Sequence, residues 1–254
     1  MARRDVLKSL RIRDCDHPGL AWNRLLGGHE PENGNNPYHG HVRLVANVQT
    51  YPELYRAAFA RWSEAMSAWP HTSRCRATTL SPTAIGLGTT CLVDIGITLH
   101  HTYGVPYLPG SALKGLARRA AADYDLTDEQ VSVLFGDDNA SAGYVTFWDG
   151  WLDPDATGVL KPDVITVHHP KYYATGGDLP PTDFDDPNPV AFLSVAPGVE
   201  FRVAVSAPDA PEWLPHAVEI LAHGLRTLGI GAKTAVGYGT LDLLVAGDEA
   251  DLWP

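Results

Sequence analysis

The stretch Tyr103-Gly-Val-Pro-Tyr-Leu-Pro-Gly-Ser-Ala-Leu-Lys-Gly-Leu-Ala-Arg-Arg119 runs from a stiff loop into a helix. Pro106 and Pro109 fix φ, while Gly104 and Gly110 allow turns that other residues resist. Ser111 stands where an N-cap is expected, and Leu113, Leu116, Ala117, Ala120 and Tyr124 recur at helical spacing. Lys114 and Arg118 are four apart and share a face, with Arg119 beside them. Cations in a first turn oppose the positive end of the helix dipole. An anion held by the free N–H groups and these cations would resolve the conflict. A solvated basic helix end, packed by its apolar stripe, fits the same residues.

Outward from this helix the pattern alternates. Upstream, β-rich segments between Ala77 and Leu99 flank the turn Gly86-Leu-Gly88, predicting one strand before it and one after, the second including Cys91–Val93 and Ile95–Leu99. Downstream, Phe135-Gly-Asp-Asp-Asn-Ala-Ser141 reads as a turn, and Gly143-Tyr-Val-Thr-Phe-Trp148 reads as a strand substantially apolar on both faces. Residues 150–196 are proline-rich and too long for a plain connector. Val199, Phe201, Val203 and Val205 alternate with Glu200, Arg202, Ala204 and Ser206, which predicts a half-buried strand. A helix follows at about 212–228 with Leu214, Val218, Leu221, Leu225 and Leu228 on one face and Gly229 at its stop. Gly229-Ile-Gly-Ala-Lys-Thr-Ala-Val-Gly-Tyr-Gly239 then leads into a last strand at roughly 236–245. This order is the split-βαβ pattern of an α+β, ferredoxin-like (RRM-like) fold with an insertion at about 151–196 between its second and third strands. Ahead of that domain (75–254) lies an N-terminal extension, 1–74. Its residues 14–49 read as irregular, and a capping box at Thr50–Glu53 opens an amphipathic helix at about 51–69.

The formal net charge is −11, the reverse of a lone, non-specific nucleic-acid binder. The charge is uneven: residues 1–13 and 111–119 are basic, and acids gather at 178–186 and the C-terminus. Anion binding is therefore expected to be local. No apolar run is long enough to span a bilayer and Met1–Asp5 lacks a signal-peptide core, so a cytoplasmic protein is expected, with no membrane partner. Cys15, Cys75 and Cys91 form no CxxC pair.

Gly231-Ala-Lys-Thr234 fails as a P-loop, because Ala232 and Thr227 stand where glycines are needed. Its glycines permit a close backbone approach in which Lys233 and Thr234 touch a sugar–phosphate chain; a turn built for tight packing fits equally. No G-x-S-x-G elbow surrounds Ser111. His39 and His41 lack a ligand cluster and read as surface loop histidines, so no metal or cofactor is expected. The pairs His100/His101 and His168/His169 could act as acid–base groups, but adjacent residues in an extended segment face opposite ways. His168-His-Pro-Lys-Tyr-Tyr173 combines Lys171, the imidazoles of His168 and His169, and the rings of Tyr172 and Tyr173, a mixture suited to single-stranded RNA.

Three of these segments together carry a resemblance. Gly104–Gly115 resembles the proline–glycine–serine helix start of the RAMP superfamily of CRISPR proteins, Gly229–Gly239 looks like its C-terminal glycine-rich loop, and Val164–Tyr173 is similar to the sixth-subunit family of the type III-B (Cmr) effector complex. The resemblance covers roughly residues 75–245. It implies a ferredoxin-like RAMP core with a thumb-like insertion, stacked with other RAMP subunits along a CRISPR guide RNA near its 3′ end, for target RNA recognition in antiviral defence. It further implies guide contacts through Ser111, Lys114, Arg118, Arg119 and the loop with Gly229, Gly231, Lys233 and Thr234. The excursion bearing His168, His169, Lys171, Tyr172 and Tyr173 would be the thumb. Related subunits that cut target RNA use an Asp upstream of the Pro-Gly-Ser motif; Asp94 lies in that region, but this subunit family is regarded as non-catalytic, and Asp94 reads as structural. The alternative is a stand-alone CRISPR precursor-RNA endoribonuclease of the superfamily, with His100 or His101 as the active histidine.

Overall fold

The centre of the fold is the strand expected at 199–206, and it is more deeply buried than its alternation predicts. A computed structural model describes residues 10–27, 37–48, 52–89, 91, 93, 95–137, 142–183, 185 and 187–245. Among the described residues the strands are β1 (Thr72–Thr79), β2 (Tyr107–Leu108), β3 (Thr146–Phe147), β4 (Gly150–Leu152), β5 (Leu160–Val167), β6 (Asn188–Val195), β7 (Glu200–Ser206) and β8 (Leu241–Val245). The α-helices are α1 (Pro18–Arg24), α2 (Pro37–Ala46), α3 (Pro52–Ala68), α4 (Gly110–Ala120), α5 (Asp128–Phe135), α6 (Pro170–Ala174) and α7 (Leu214–Thr227). An antiparallel sheet runs β2-β4-β7-β1-β8, with β3 also paired to β7.

Every β7 residue from Phe201 to Ser206 is buried. Phe201, Val203 and Val205 face the main core with Leu113, Leu116, Leu221 and Leu225 of α4 and α7. The other face is covered as well: Met66 of α3 sits on Ala204, with Trp62 and Trp148 against them. Buried Arg202 is matched by Asp153 at 2.5 Å and Glu200 at 3.1 Å, as a charge in such a position requires. The alternation was legible; the second cover, brought by a helix more than a hundred residues upstream, was not.

The strand expected at 143–148 shortens to β3, and pairing with β7 resumes beyond it at β4. Phe147 pairs with Val205 and Trp151 with Arg202, so four steps on one strand oppose three on the other, the signature of a β-bulge. The start of α4 presses on this point: a Cβ on Gly110 would lie 2.2 Å from the Phe147 carbonyl oxygen. The strand expected from Cys91 to Leu99 does not form among the described residues. Cys91, Val93, Ile97 and Leu99 pack against Trp22, Val42 and Val45 of α1 and α2 instead of entering a ladder.

That helix pair corrects the expectation of irregular structure over 14–49, and of loop positions for His39 and His41, both of which lie in α2. His17 caps α1, its Nδ1 accepting the Leu20 N–H at 3.0 Å, and Pro18 sits at the first helical position. Helices this short draw their stability from packing rather than from propensity. His41 is buried and stacked on Trp22 at 5.6 Å. The helix expected at 51–69 is α3; its capping box at Thr50 lies outside the described residues. The last strand is confined to β8, because Thr234–Val236 forms a 3-10 turn instead.

The excursion after β4 is a hairpin. β5 and β6 pair from Leu160↔Val195 to Val167↔Asn188, with α6 near the tip. Alternation gives it two faces. Leu160, Ala191 and Leu193 pack on α1 and α2. Asp163 and Phe192, paired across the strands, face the glycine-rich loop.

Candidate nucleic-acid interface

The helix start at Gly110 departs from the expected cap. Helix α4 begins at Gly110, with Pro109 in the cap position and no side-chain cap, so Ser111 is an exposed second residue rather than the N-cap. The Gly110 N–H instead donates to Asp149 Oδ1 at 2.7 Å. The bulge thus aims a carboxylate at the positive end of α4, and the protein itself supplies an anion at that position. The apolar stripe is as expected, with Leu113, Leu116, Ala117 and Ala120 buried. Of the cations, Lys114 is half-buried, Arg118 donates to the Gly136 carbonyl at 3.4 Å, and Arg119 is exposed near the helix end.

In the loop 229–239 the glycines serve close packing. A Cβ on Gly231 would meet the Ala84 carbonyl oxygen at 2.4 Å, and one on Gly239 would meet that of Ile230 at 2.0 Å. Gly229 ends α7 as expected, at φ 74°. Lys233 takes a left-handed φ of 62°, rare for a residue with a side chain. Its Nζ lies 5.6 Å from the centre of the Phe192 ring and 5.5 Å from that of Tyr238. Thr234, half-buried, opens the 3-10 turn.

Near the hairpin tip, His168 and Lys171 are exposed, and Tyr173 is 70% exposed. Tyr172 and Tyr173 meet edge to face at 5.4 Å, leaving ring surface to solvent. His169 behaves differently: its Nδ1 is 3.0 Å from Asp185 Oδ2. The Thr182 N–H, followed by His169, holds the Asp185 carboxyl below its ordinary range. His169 therefore closes the tip loop, while Lys171, Tyr172 and Tyr173 are offered outward.

Tyr55, Phe59 and Trp62 of α3 pack inward. Trp151 of β4 stacks on Trp62 at 5.4 Å and on Tyr55 at 5.9 Å, with Tyr103 at 6.0 Å. His100 joins this cluster, 5.5 Å from Trp151 and 4.6 Å from Tyr103, and its Nδ1 accepts the Thr102 N–H at 3.2 Å. Burial pulls its pKa down, against a smaller upward pull from Asp149. The α3-covered sheet face is thus closed to bases. Asp94 lies outside the described residues. Among the described residues no group of His, Cys, Asp and Glu is arranged to hold a metal ion, and no helix is long and apolar enough to cross a membrane.

Sequence reasoning missed Asp149, Asp163, Phe192 and Tyr238 as participants. No local signal marks them; Asp149 reads as part of a Trp-Asp-Gly turn, and the others act only across the fold.

A model of the RAMP superfamily matches residues 76–242. The chain belongs to the RAMP superfamily. Among curated proteins it is 28% identical to the CRISPR system Cmr subunit Cmr6 of Pyrococcus furiosus, over 74% of this chain and 73% of that one. It is 27% identical to Cmr6 of Saccharolobus solfataricus, over 65% of this chain and 56% of the relative. The chain thus spans little more than half the length of the second relative. In fold it resembles a chain of a type III-B Cmr-beta complex seen by cryo-EM bound to cognate target RNA, with a TM-score of 0.65, 23% identity, and coverage of 82% of this RAMP chain and 72% of the other.

Proposed function

We propose that this RAMP protein is a non-catalytic backbone subunit of a type III-B CRISPR effector complex, binding guide RNA near its 3′ end and helping present it to target RNA beside other RAMP subunits. The observation that carries this reading is the similarity to the Cmr6 proteins of Pyrococcus furiosus and Saccharolobus solfataricus over 74% and 65% of the chain. The strand order β4-β7-β1-β8, with helices following the first and third strands, supports a ferredoxin-like core at 75–254 behind an N-terminal extension at 1–74. In this reading the β5–β6 hairpin is the thumb.

Ser111, Lys114, Arg118 and Arg119 would meet guide phosphates along the outer side of α4. The backbone of the loop with Gly229, Gly231 and Thr234 would complete that surface, and Lys171, Tyr172 and Tyr173, with His168 beside them on a turn closed by His169, would meet bases at the tip. Exposed cations and exposed rings at separate stations suit a splayed single strand. The chain's net charge of −11 accords with affinity from a local surface plus protein neighbours. His100, packed among rings with its Nδ1 occupied, gives the processing-nuclease reading no support.

The test is purification of a tagged copy from the native host, with identification of accompanying RNA and protein. Guide-sized RNAs sharing a repeat-derived 5′ tag, together with several RAMP proteins, are expected. A chain that emerges alone and cuts repeat RNA in vitro would replace this reading with the nuclease.

A further inference from the structure

The hairpin and the glycine-rich loop are joined by more than proximity. Tyr238 donates its hydroxyl proton to Asp163 Oδ2 at 2.7 Å, and its ring lies 6.4 Å from that of Phe192. Lys233 Nζ sits against both rings at nearly equal distance. Phe192 is fully buried, so one side of this arrangement is fixed in the hairpin itself. At the base, Thr83 and Val195 exchange backbone hydrogen bonds at 3.0 and 2.8 Å, while Ala232 donates to the Ala84 carbonyl at 2.7 Å and Gly239 to that of Pro82 at 2.9 Å. Residues 82–84 therefore tie both partners to one short segment.

Two features call for an explanation beyond packing. A lysine in the left-handed region is strained, and such strain persists where the surroundings fix it, often at functional positions. An ammonium facing two rings is drawn to their negative faces. The Tyr238 hydroxyl is pushed up to about 12, by burial first and by Asp163 next, so it keeps its donor proton through the neutral range.

We infer that Lys233, Tyr238, Phe192 and Asp163 form a latch that sets the angle of the β5–β6 hairpin on the glycine-rich loop. In it Lys233 acts as a positioning residue for the tip rings and not as a phosphate contact. Seating RNA against the loop then also seats the hairpin, so that Tyr172 and Tyr173 reach a base at a fixed distance from the phosphates on α4. This rests on the RNA-binding reading above.

The experiment uses the full chain and a mixed-sequence single-stranded RNA with 2-aminopurine at successive positions, whose fluorescence rises when its base leaves the stack. Parent, Lys233→Gln, Lys233→Arg, Tyr238→Phe and Asp163→Asn are compared for salt dependence of binding, 2-aminopurine signal and amide exchange over 163–192. In Lys233→Gln the slope of log affinity on log salt is expected to match the parent's, the 2-aminopurine rise to be lost, and hairpin exchange to quicken about tenfold or more. Tyr238→Phe, which removes one oxygen and is expected to keep the fold, should move in the same direction, as should Asp163→Asn. Lys233→Arg should restore the signal, because guanidinium also stacks on rings. A slope shallower by about 0.7 in Lys233→Gln, with hairpin exchange unchanged, would make Lys233 a direct phosphate contact and overturn the latch. If the parent binds no RNA, the RNA reading falls, and the exchange data alone still decide whether the latch exists.

Discussion

Two glycine–lysine stretches, Gly110–Gly115 and Gly229–Gly239, look alike in sequence and end differently. In both, a glycine lets backbone approach backbone: Gly110 against Phe147, and Gly231 and Gly239 against Ala84 and Ile230. The lysines then diverge. Lys114 rides a regular helix, where spacing alone places it at the flank of the Leu113, Leu116 and Ala117 stripe, and among the described residues its ammonium has no hydrogen-bond or ion-pair partner. Lys233 follows a left-handed backbone and is aimed at two rings, one of them on a strand some forty residues earlier. A cation beside a glycine is a phosphate candidate only when no internal ring or carboxylate has already taken it. Asp149, bonded to Gly110, makes the same point for the helix end.

The largest test of this contrast is Gly239→Ala. Its Cβ would collide with a carbonyl and its φ is 77°, so a loss of about 3 kcal/mol in unfolding free energy is expected by urea titration. Gly115→Ala is its counterpart: nothing lies within 4 Å of that added Cβ, and the site is inside a helix. It should stabilise by roughly 0.5–1 kcal/mol in the same assay. A matching loss at both sites would erase the distinction.

On the RNA side, Tyr173→Ala should weaken binding by about 1–3 kcal/mol if the exposed ring stacks on a base, with stability unchanged to about 0.5 kcal/mol. Combined Lys114→Gln and Arg119→Gln should flatten the salt slope by about 1.4, two phosphate contacts for a single strand, in contrast with Lys233→Gln. Asp149→Ala should cost about 1 kcal/mol of stability, as loss of a helix-capping carboxylate does. Each is checked by titration against labelled RNA or by denaturation.

The hairpin's other cover gives a pH-dependent test. Burial holds the His41 pKa below its ordinary 6.5, while its hydrogen bond to the Trp22 carbonyl opposes this in part. The folded state therefore disfavours the protonated ring, and the unfolded chain binds the proton more readily. Stability should be full above pH 6.5 and fall as pH drops through 6.5 toward the lower folded value. Thermal melts across that range should show the decline, and His41→Gln should remove the part that belongs to this ring.

Much of the fold was legible. The α4 stripe, the α7 stripe with Gly229 at its end, and the alternating strand at 199–206 rest on periodicity that neighbours in sequence enforce. The helices α1 and α2 were not legible, since each is short, one is capped by an unusual residue, and both depend on hairpin and loop side chains for their core. The shortening of the strand expected at 143–148, and the bulge before β4, were hidden for a related reason: the bulge answers to Gly110 pressing from another element. Of the candidate site, the exposure of Tyr173 and Lys171 fits a polar, proline-flanked loop, whereas the withdrawal of Lys233 and His169 into internal contacts could not be read locally.

What the sequence determined by itself is what short-range sterics and periodicity fix: where backbone must turn through glycine, which helix faces are apolar, and which cations share a face. The tertiary structure alone decided which of those groups stay open to a ligand. That choice belongs to contacts between residues far apart in the chain, Asp149 with Gly110 and Asp163 and Phe192 with Tyr238 and Lys233, and spacing along a chain carries no record of them.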